Sequence, residues 1–199
     1  MKRKLLTVLA LIFISALVRA QSGNKIAISL GPELDIPFNT ANANGQSIKD
    51  TYKDGIGGSL KIELPITAAL HFTGSAGYIY YRSDHRYIFP NYDPYPGPSG
   101  VANNNITIAP PYKFIPLKAG LQYYFVKYLY INGEVGDAIK ANSQAINSFI
   151  YSGGAGVAIP FNPHQGLDLG ILYEHGFKNK DYDSAMGQLA LRVAYKYRF

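Results

Sequence analysis

The chain has 199 residues, with 19 Lys and Arg against 13 Asp and Glu, 20 Gly, 17 Tyr and neither Cys nor Trp. That length suits a single domain with a sizeable core. The lack of cysteine excludes a disulfide scaffold, a Cys-ligated metal and a lipid-modified N-terminal Cys. Four of the bases, Lys2, Arg3, Lys4 and Arg19, lie in the first 20 residues, and without them 19 − 4 leaves 15 bases against 13 acids. A balance of +2 is no footprint for nucleic acid.

The first segment explains those four charges. Lys2, Arg3 and Lys4 precede an apolar run from Leu5 to Val18, which ends at Val18-Arg19-Ala20. A basic n-region, a short apolar h-region and a small-residue cleavage site make a secretory signal peptide over residues 1–20. The run is too short to anchor the chain across a bilayer. No later apolar run approaches about 18 residues, so any further membrane span has to be made of strands.

From Ile26 onward apolar residues recur with period two, and a helix of period 3.6 would scatter them around its circumference. In chain order the apolar faces begin with Ile26, Ile28, Leu30, Pro32, Leu34 and Ile36, then Ile56 to Leu64 on even numbers and Leu70 to Tyr80 on even numbers. Ile115 to Phe125 and Leu129 to Val135 follow on odd numbers, then Phe149 to Ile159, Leu167 to Tyr173 and Leu189 to Phe199, also odd. These eight faces hold no charge and no polar residue except Tyr. Pro32 and Pro116 fall inside strands and imply bulges or strand ends there, because each lacks an N–H for the ladder.

Connections alternate in length. Residues 38–53, 83–112, 139–147 and 176–184 are long and rich in Asn, Gly, Pro and Ser, whereas 65–69, 126–128 and 161–166 are short turns. All long loops therefore fall at one end of an up-and-down meander. The predicted fold is all-β: an eight-stranded antiparallel transmembrane barrel over residues 21–199, preceded by a signal peptide.

Two barrels share this pattern, a soluble one with its apolar face around a ligand and a membrane one with that face against lipid. Size favours the second, because an eight-stranded interior is only wide enough for side chains to fill. The polar face carries the small residues, including Gly31, Gly57, Ser59, Gly77, Gly120, Gly154, Gly156 and Gly170. Aromatic residues form two sets, Tyr123, Phe125, Phe161, Tyr195, Tyr197 and Phe199 at the short-turn end, and Phe38, Tyr78, Tyr80, Phe149, Tyr151 and Tyr173 at the other. Two such girdles belong at the two bilayer interfaces.

Ile115-Pro116-Leu117-Lys118 leading into Tyr123-Tyr124-Phe125, the Gly153-Gly154-Ala155-Gly156-Val157 strand, and the terminal Tyr195-Lys196-Tyr197-Arg198-Phe199 carry a family likeness. By these residues the chain resembles small outer-membrane barrels of the OmpA/OmpX type, and among them the β-barrel domain proteins common in Bacteroidota, PorT-like members included. The resemblance implies a bacterial outer membrane, outer-membrane lipid around the wall, and a last strand whose Tyr195, Tyr197 and Phe199 are read by the barrel-assembly machinery.

On the polar face Glu33, Asp35, Glu63, Glu134, Asp168 and Glu174 oppose Lys61, Lys118, Arg192, Lys196 and Arg198. Antiparallel pairing sets Lys118 near Glu134 and Glu33 within a diagonal step of Lys61. Glu174 with Arg192 and Asp168 with Arg198 share one register. Buried charges need partners, so the expected lumen is closed and paired, the alternative being a narrow conducting pore.

Chemistry is weakly signalled. His71, His85, His164 and His175 have no metal-ligand spacing, and Ser83, Asp84 and His85 are consecutive, so they do not converge as a triad. Gly55–Gly58 and Gly153–Gly156 lie in strands and open no helix, unlike phosphate loops. Asn105-Ile106-Thr107 matches a glycosylation sequon by coincidence. The second long loop, with Arg86, Tyr87, Phe89, Tyr92 and Tyr95 between several prolines, is the candidate binding surface for an extracellular protein or polysaccharide. Its aromatics equally suit packing on the barrel rim or on lipid headgroups.

The expected protein is thus a monomeric, non-enzymatic structural or surface-interaction barrel without cofactor or nucleic acid. The alternatives are a lipid-modifying enzyme, a narrow channel and a PorT-like secretion accessory. Export leaves Gln21 as the first residue, and N-terminal sequencing of protein recovered from membranes checks this. A start at Met1 contradicts the cleavage.

Overall fold

In a computed structural model the chain is described over residues 25–38, 52–83, 86–90, 104–108, 111–143, 147–176 and 187–199. The expected signal peptide lies outside these residues. Eight strands form one closed antiparallel barrel: β1 Ala27–Pro37, β2 Tyr52–Pro65, β3 Leu70–Ser83, β6 Tyr112–Tyr124, β7 Leu129–Lys140, β8 Ser148–Pro160, β9 Gln165–Gly176 and β10 Gly187–Arg198. Two further strands, β4 Arg86–Pro90 and β5 Asn104–Ile108, pair only with each other. Each barrel strand pairs with its sequence neighbour in the barrel, and β1 with β10 closes the ring.

The outward face is the apolar one. Leu30, Leu60, Leu121, Ile131, Val135, Ile171 and Val193 all point to the exterior with large exposed areas, whereas alternate residues are buried. Exposed aliphatic side chains in a continuous belt are unfavourable in water and favourable against lipid. Aromatic side chains bound the belt: Tyr123, Phe125, Phe161, Tyr195, Tyr197 and Phe199 are exposed at the short-turn end, and Phe38, Tyr78, Phe149, Tyr151 and Tyr173 at the long-loop end. Leu64, beside the turn after β2, is buried instead.

Both prolines depart from expectation, because neither bends nor ends its strand. Pairing of β1 with β10 holds the same register from Leu30↔Tyr195 to Glu33↔Arg192, with the two pairs at Gly31 and Pro32 missing. Likewise β3 pairs with β6 at Ala76↔Leu117 and Ile79↔Phe114 around Pro116, without a shift. Each proline N faces the interrupted side, while the other neighbour still pairs, at Pro32↔Gly58 and Pro116↔Ala138. The register shift that does occur is between Tyr52 and Gly55, where β2 enters the barrel.

Inward positions are small because strands approach closely there. A Cβ on Gly120 would lie 2.0 Å from the Gly133 carbonyl oxygen, and one on Gly154 2.1 Å from that of Ile171. The loop expected over 83–112 contains the β4–β5 pair, from Arg86↔Ile108 to Pro90↔Asn104. Composition rich in Asn and Pro hid those strands.

Ile171 lies mid-strand in the belt and is 54% exposed. Ile171→Arg is expected to cost about 2–4 kcal/mol in phospholipid vesicles, the range for a cation near the bilayer midplane. Equilibrium unfolding of both proteins in vesicles measures it, and an unchanged midpoint contradicts the lipid-facing wall.

Candidate functional site: the charged lumen

Closure directs alternate side chains of eight strands into one narrow interior. All six inward carboxylates, Glu33, Asp35, Glu63, Glu134, Asp168 and Glu174, are buried there, with Lys61, Arg192 and Lys196. They stack in layers along the barrel axis. Nearest the short turns, Lys196 Nζ donates to Glu63 Oε1 at 2.6 Å and Oε2 at 2.7 Å and to Tyr124 Oη at 2.8 Å. The Tyr124 hydroxyl donates in turn to Glu63 at 3.1 Å.

The next layer centres on Asp168. Lys61 Nζ lies 2.8 Å away, Arg192 donates through a guanidinium N at 2.9 Å, and Tyr130 Oη donates at 2.6 Å. The same guanidinium donates to Ser59 Oγ at 2.9 Å and to Ser29, and Ser59 Oγ donates to Glu33 at 2.5 Å. The Asp168 carboxylate is therefore held by two cations and a phenol, the arrangement burial requires.

Lys118 organises the third layer, contacting Glu174 closely and Glu134 at 3.7 Å. Thr73 and Ser75 hydroxyls each donate to Glu134 at 3.1 Å. Gln188 Nε2 donates to both Glu174 at 3.2 Å and Asp35 at 3.3 Å, and its carbonyl accepts from the Tyr81 hydroxyl. Above it, toward the long loops, Ile79, Tyr81, Phe114, Ala138 and Ile150 pack as an apolar plug, flanked by Tyr52 and Tyr112.

The space left among these layers is small. Between Glu33, Lys118, Glu134 and Arg192 the void is about 20 Å³, room for about one water. Asp35 Oδ2, Asn132 Oδ1 and Ser152 Oγ are buried without a protein hydrogen-bond partner. At the short-turn mouth a cavity of about 520 Å³ opens, with Glu63 and Lys196 in its lining.

Three pairings read from the sequence need correction. Expected partners Glu174 with Arg192 and Asp168 with Arg198 belong to a register four residues away; the observed pairs are Gln188↔Glu174 and Ala194↔Asp168. Long side chains reach diagonally and across the lumen, so Asp168 bonds to Lys61 of β2, and Glu174 to Lys118 of β6. Arg198 is half-buried at the short-turn mouth, away from Asp168's cations. Glu33 stands opposite Gly57 and takes Ser59, while Lys61 sits opposite Ser29 and takes Asp168, two steps further along. Lys118 and Glu134 do come together.

Sequence reasoning missed the neutral partners and the plug. Tyr124, Tyr130, Gln122 and Gln188 lie at inward positions of their strands, a signal that parity alone carried. The plug had a signal too: Tyr78-Ile79-Tyr80-Tyr81 and Phe149-Ile150-Tyr151 are apolar on both faces. Of the candidate loop, Arg86, Tyr87 and Phe89 lie on β4, where the backbone alone is described, and Tyr92 and Tyr95 lie outside the described residues. Asp84 and His85 of the Ser-Asp-His run also lie outside them. Among the described residues no group of three or more His, Asp or Glu is placed to hold a metal.

No family model matches the chain, and no curated protein matches it in sequence. Solved structures do match in fold. Outer membrane protein OprG from Pseudomonas aeruginosa is 12% identical with a TM-score of 0.55, over 88% of this chain and 95% of that one. Neisserial surface protein A is 13% identical with a TM-score of 0.53, over 87% and 97%. Ail, the attachment invasion locus protein of Yersinia pestis, in complex with the heparin analogue sucrose octasulfate, is 16% identical with a TM-score of 0.52, over 87% and 98%. This chain shares their fold, and its apolar belt and two girdles make it a barrel of the bacterial outer membrane.

Asp168→Asn leaves Lys61 and Arg192 buried with a neutral partner. The expected loss of stability is about 3–5 kcal/mol, the cost of breaking a buried pair. Denaturant unfolding in vesicles measures it, and a loss below about 1 kcal/mol, as for exposed pairs, contradicts a buried layer.

Proposed function

We propose that this is a surface-interaction protein whose sealed barrel is a rigid support and whose binding chemistry sits in the long loops. The observation that carries the reading is the filled lumen, whose central void is about 20 Å³ between charged layers and the apolar plug. By this reading such an interior gives a hydrated ion no route. What remains for recognition of an extracellular partner is the long-loop end, where β4 and β5 resume pairing after β3 and before β6.

The loop over 84–111 supplies Tyr87, Phe89, Tyr92 and Tyr95 among prolines, with Asp84 and Asp93 against Arg86. Rigid aromatics with little net charge suit stacking on sugar rings or apolar protein surface, at low ordering cost. Ail in complex with a heparin analogue is a barrel of this fold joined to a sugar. By this reading the partner is an extracellular polysaccharide or protein, the chain is a monomer delivered by the signal peptide over 1–20, and the strand ending in Phe199 is read by the assembly machinery.

Two measurements test it. Planar-bilayer recording on the refolded protein is expected to show no steady open conductance; a stable open level favours the channel instead. A glycan and protein array probed with the full chain in nanodiscs is expected to show binding that falls at least about tenfold when residues 87–98 are deleted, the scale of losing one aromatic anchor. Equal binding by the deletion variant overturns the loop assignment.

A further inference from the structure

The short-turn mouth carries a second polar feature, which serves neither the closed lumen nor the long loops. Its cavity of about 520 Å³ is within the range of small-ligand sites. Lys25, Lys127, Lys196 and Arg198 line it, with Glu63 as the one acidic lining residue. Lys196 spends its three protons on both Glu63 oxygens and on Tyr124 Oη. The floor is therefore self-neutralised, and 4 − 1 leaves three cations at the walls facing no lining carboxylate.

Arg198 and Lys127 stand on fixed backbone. The Arg198 N–H donates to the His164 carbonyl at 2.7 Å, and the Arg198 carbonyl lies 2.9 Å from His164 Nδ1. The turn bearing Lys127 is pinned where the Ala158 N–H donates to the Tyr128 carbonyl at 2.8 Å, and Lys127 Nζ sits 5.2 Å from the Tyr128 ring. His71 adds an imidazole to the wall, its Nδ1 3.5 Å from Glu63 Oε2 and so part of the same neutralised floor.

The other side of the cavity is apolar and faces lipid. Phe125, Val126 and Tyr128 line it and are exposed on the exterior at the short-turn girdle. A single cleft thus joins cations that have no carboxylate partner among the described residues to the outer wall at the depth of lipid headgroups. We propose that this vestibule is an anion site for a phosphate group, and that an acidic phospholipid of the adjacent leaflet supplies it, its headgroup at Lys25, Lys127 and Arg198 and its chains along Phe125 and Val126. Arg198 offers a planar fork for two phosphate oxygens and the lysines offer mobile point charges.

The test uses the full chain refolded in a neutral detergent, with native mass spectrometry of retained phosphatidylglycerol against phosphatidylcholine. Wild type is expected to keep phosphatidylglycerol preferentially. Lys127→Gln with Arg198→Gln is expected to weaken retention about 25-fold, at about fivefold for each cation near a charged headgroup. Lys140→Gln, an exposed cation at the other end of the barrel, is the control and is expected to change nothing. Heat-dependent gel mobility shows that each variant is folded. Should the double variant fail to fold, Lys25→Gln, which lies before β1, carries the test with about a fivefold loss.

A phosphorus NMR titration with inorganic phosphate separates the sources. Displacement of the lipid by millimolar phosphate supports the anion site and makes free phosphate a competent occupant; no displacement supports the lipid. Equal retention of the two lipids, or a preference that survives in the folded double variant, overturns the proposal.

Discussion

Everything in this molecule depends on the rule that a backbone amide in hydrocarbon has no water to bond to. A sheet satisfies that rule only when its first and last strands pair, and here nine residues of β1 find register partners on β10. Closure then fixes the rest. One parity of every strand faces lipid and the other faces a lumen too narrow for anything but side chains. The alternation of Leu, Ile, Val and Tyr with Gly, Ala and Ser is the sequence written to that geometry.

Placing charge in such a lumen is costly, and the observed layers show how the cost is met. Carboxylates do not pair one to one with bases on the next strand. Asp168 is shared by Lys61, Arg192 and Tyr130, and Lys118 is shared by Glu174 and Glu134. Sharing ties β2 to β9 and β6 to β9 across the axis, so the network braces the barrel in a direction the ladders do not. It is also asymmetric. Lys61, Lys196 and Arg192 balance Glu63, Asp168 and Glu33, which stands opposite Arg192, whereas Lys118 is set against Asp35, Glu134 and Glu174 toward the long loops, formally −2. The less negative end of that axis is the end that bears the cationic vestibule.

Strands, loop lengths, girdles and the outward apolar face were legible because each depends on one residue at a time. Parity needs only Leu30 beside Gly31, or Ile171 beside Gly170. Register is a relation between strands, and it was not legible. Matching Glu174 to Arg192 and Asp168 to Arg198 assumed that opposite charges sit opposite, yet lysine and arginine stems span a diagonal or the whole lumen. Pro32 and Pro116 misled for a related reason. A missing N–H costs a strand its ladder only on the side the N faces, and the other side holds each proline in line. The neutral partners Tyr124, Tyr130 and Gln188 stayed invisible because nothing distinguishes a bonded inward tyrosine from one that packs.

The three barrels compared above are 12–16% identical to the chain. Such low identity is what the physics of the wall predicts, since any apolar side chain satisfies lipid and any small one satisfies the lumen. The wall therefore carries almost no information about role. Specific demands begin where parity ends: at the apolar plug, where Ile79 and Phe114 turn inward against the pattern, at the second loop, rich in aromatic residues and proline, and at a mouth where cations outnumber their carboxylate. Each of these departs from what a barrel needs in order to stand in a membrane. Departures of that kind, more than the fold, are where the chemistry of this protein is to be found.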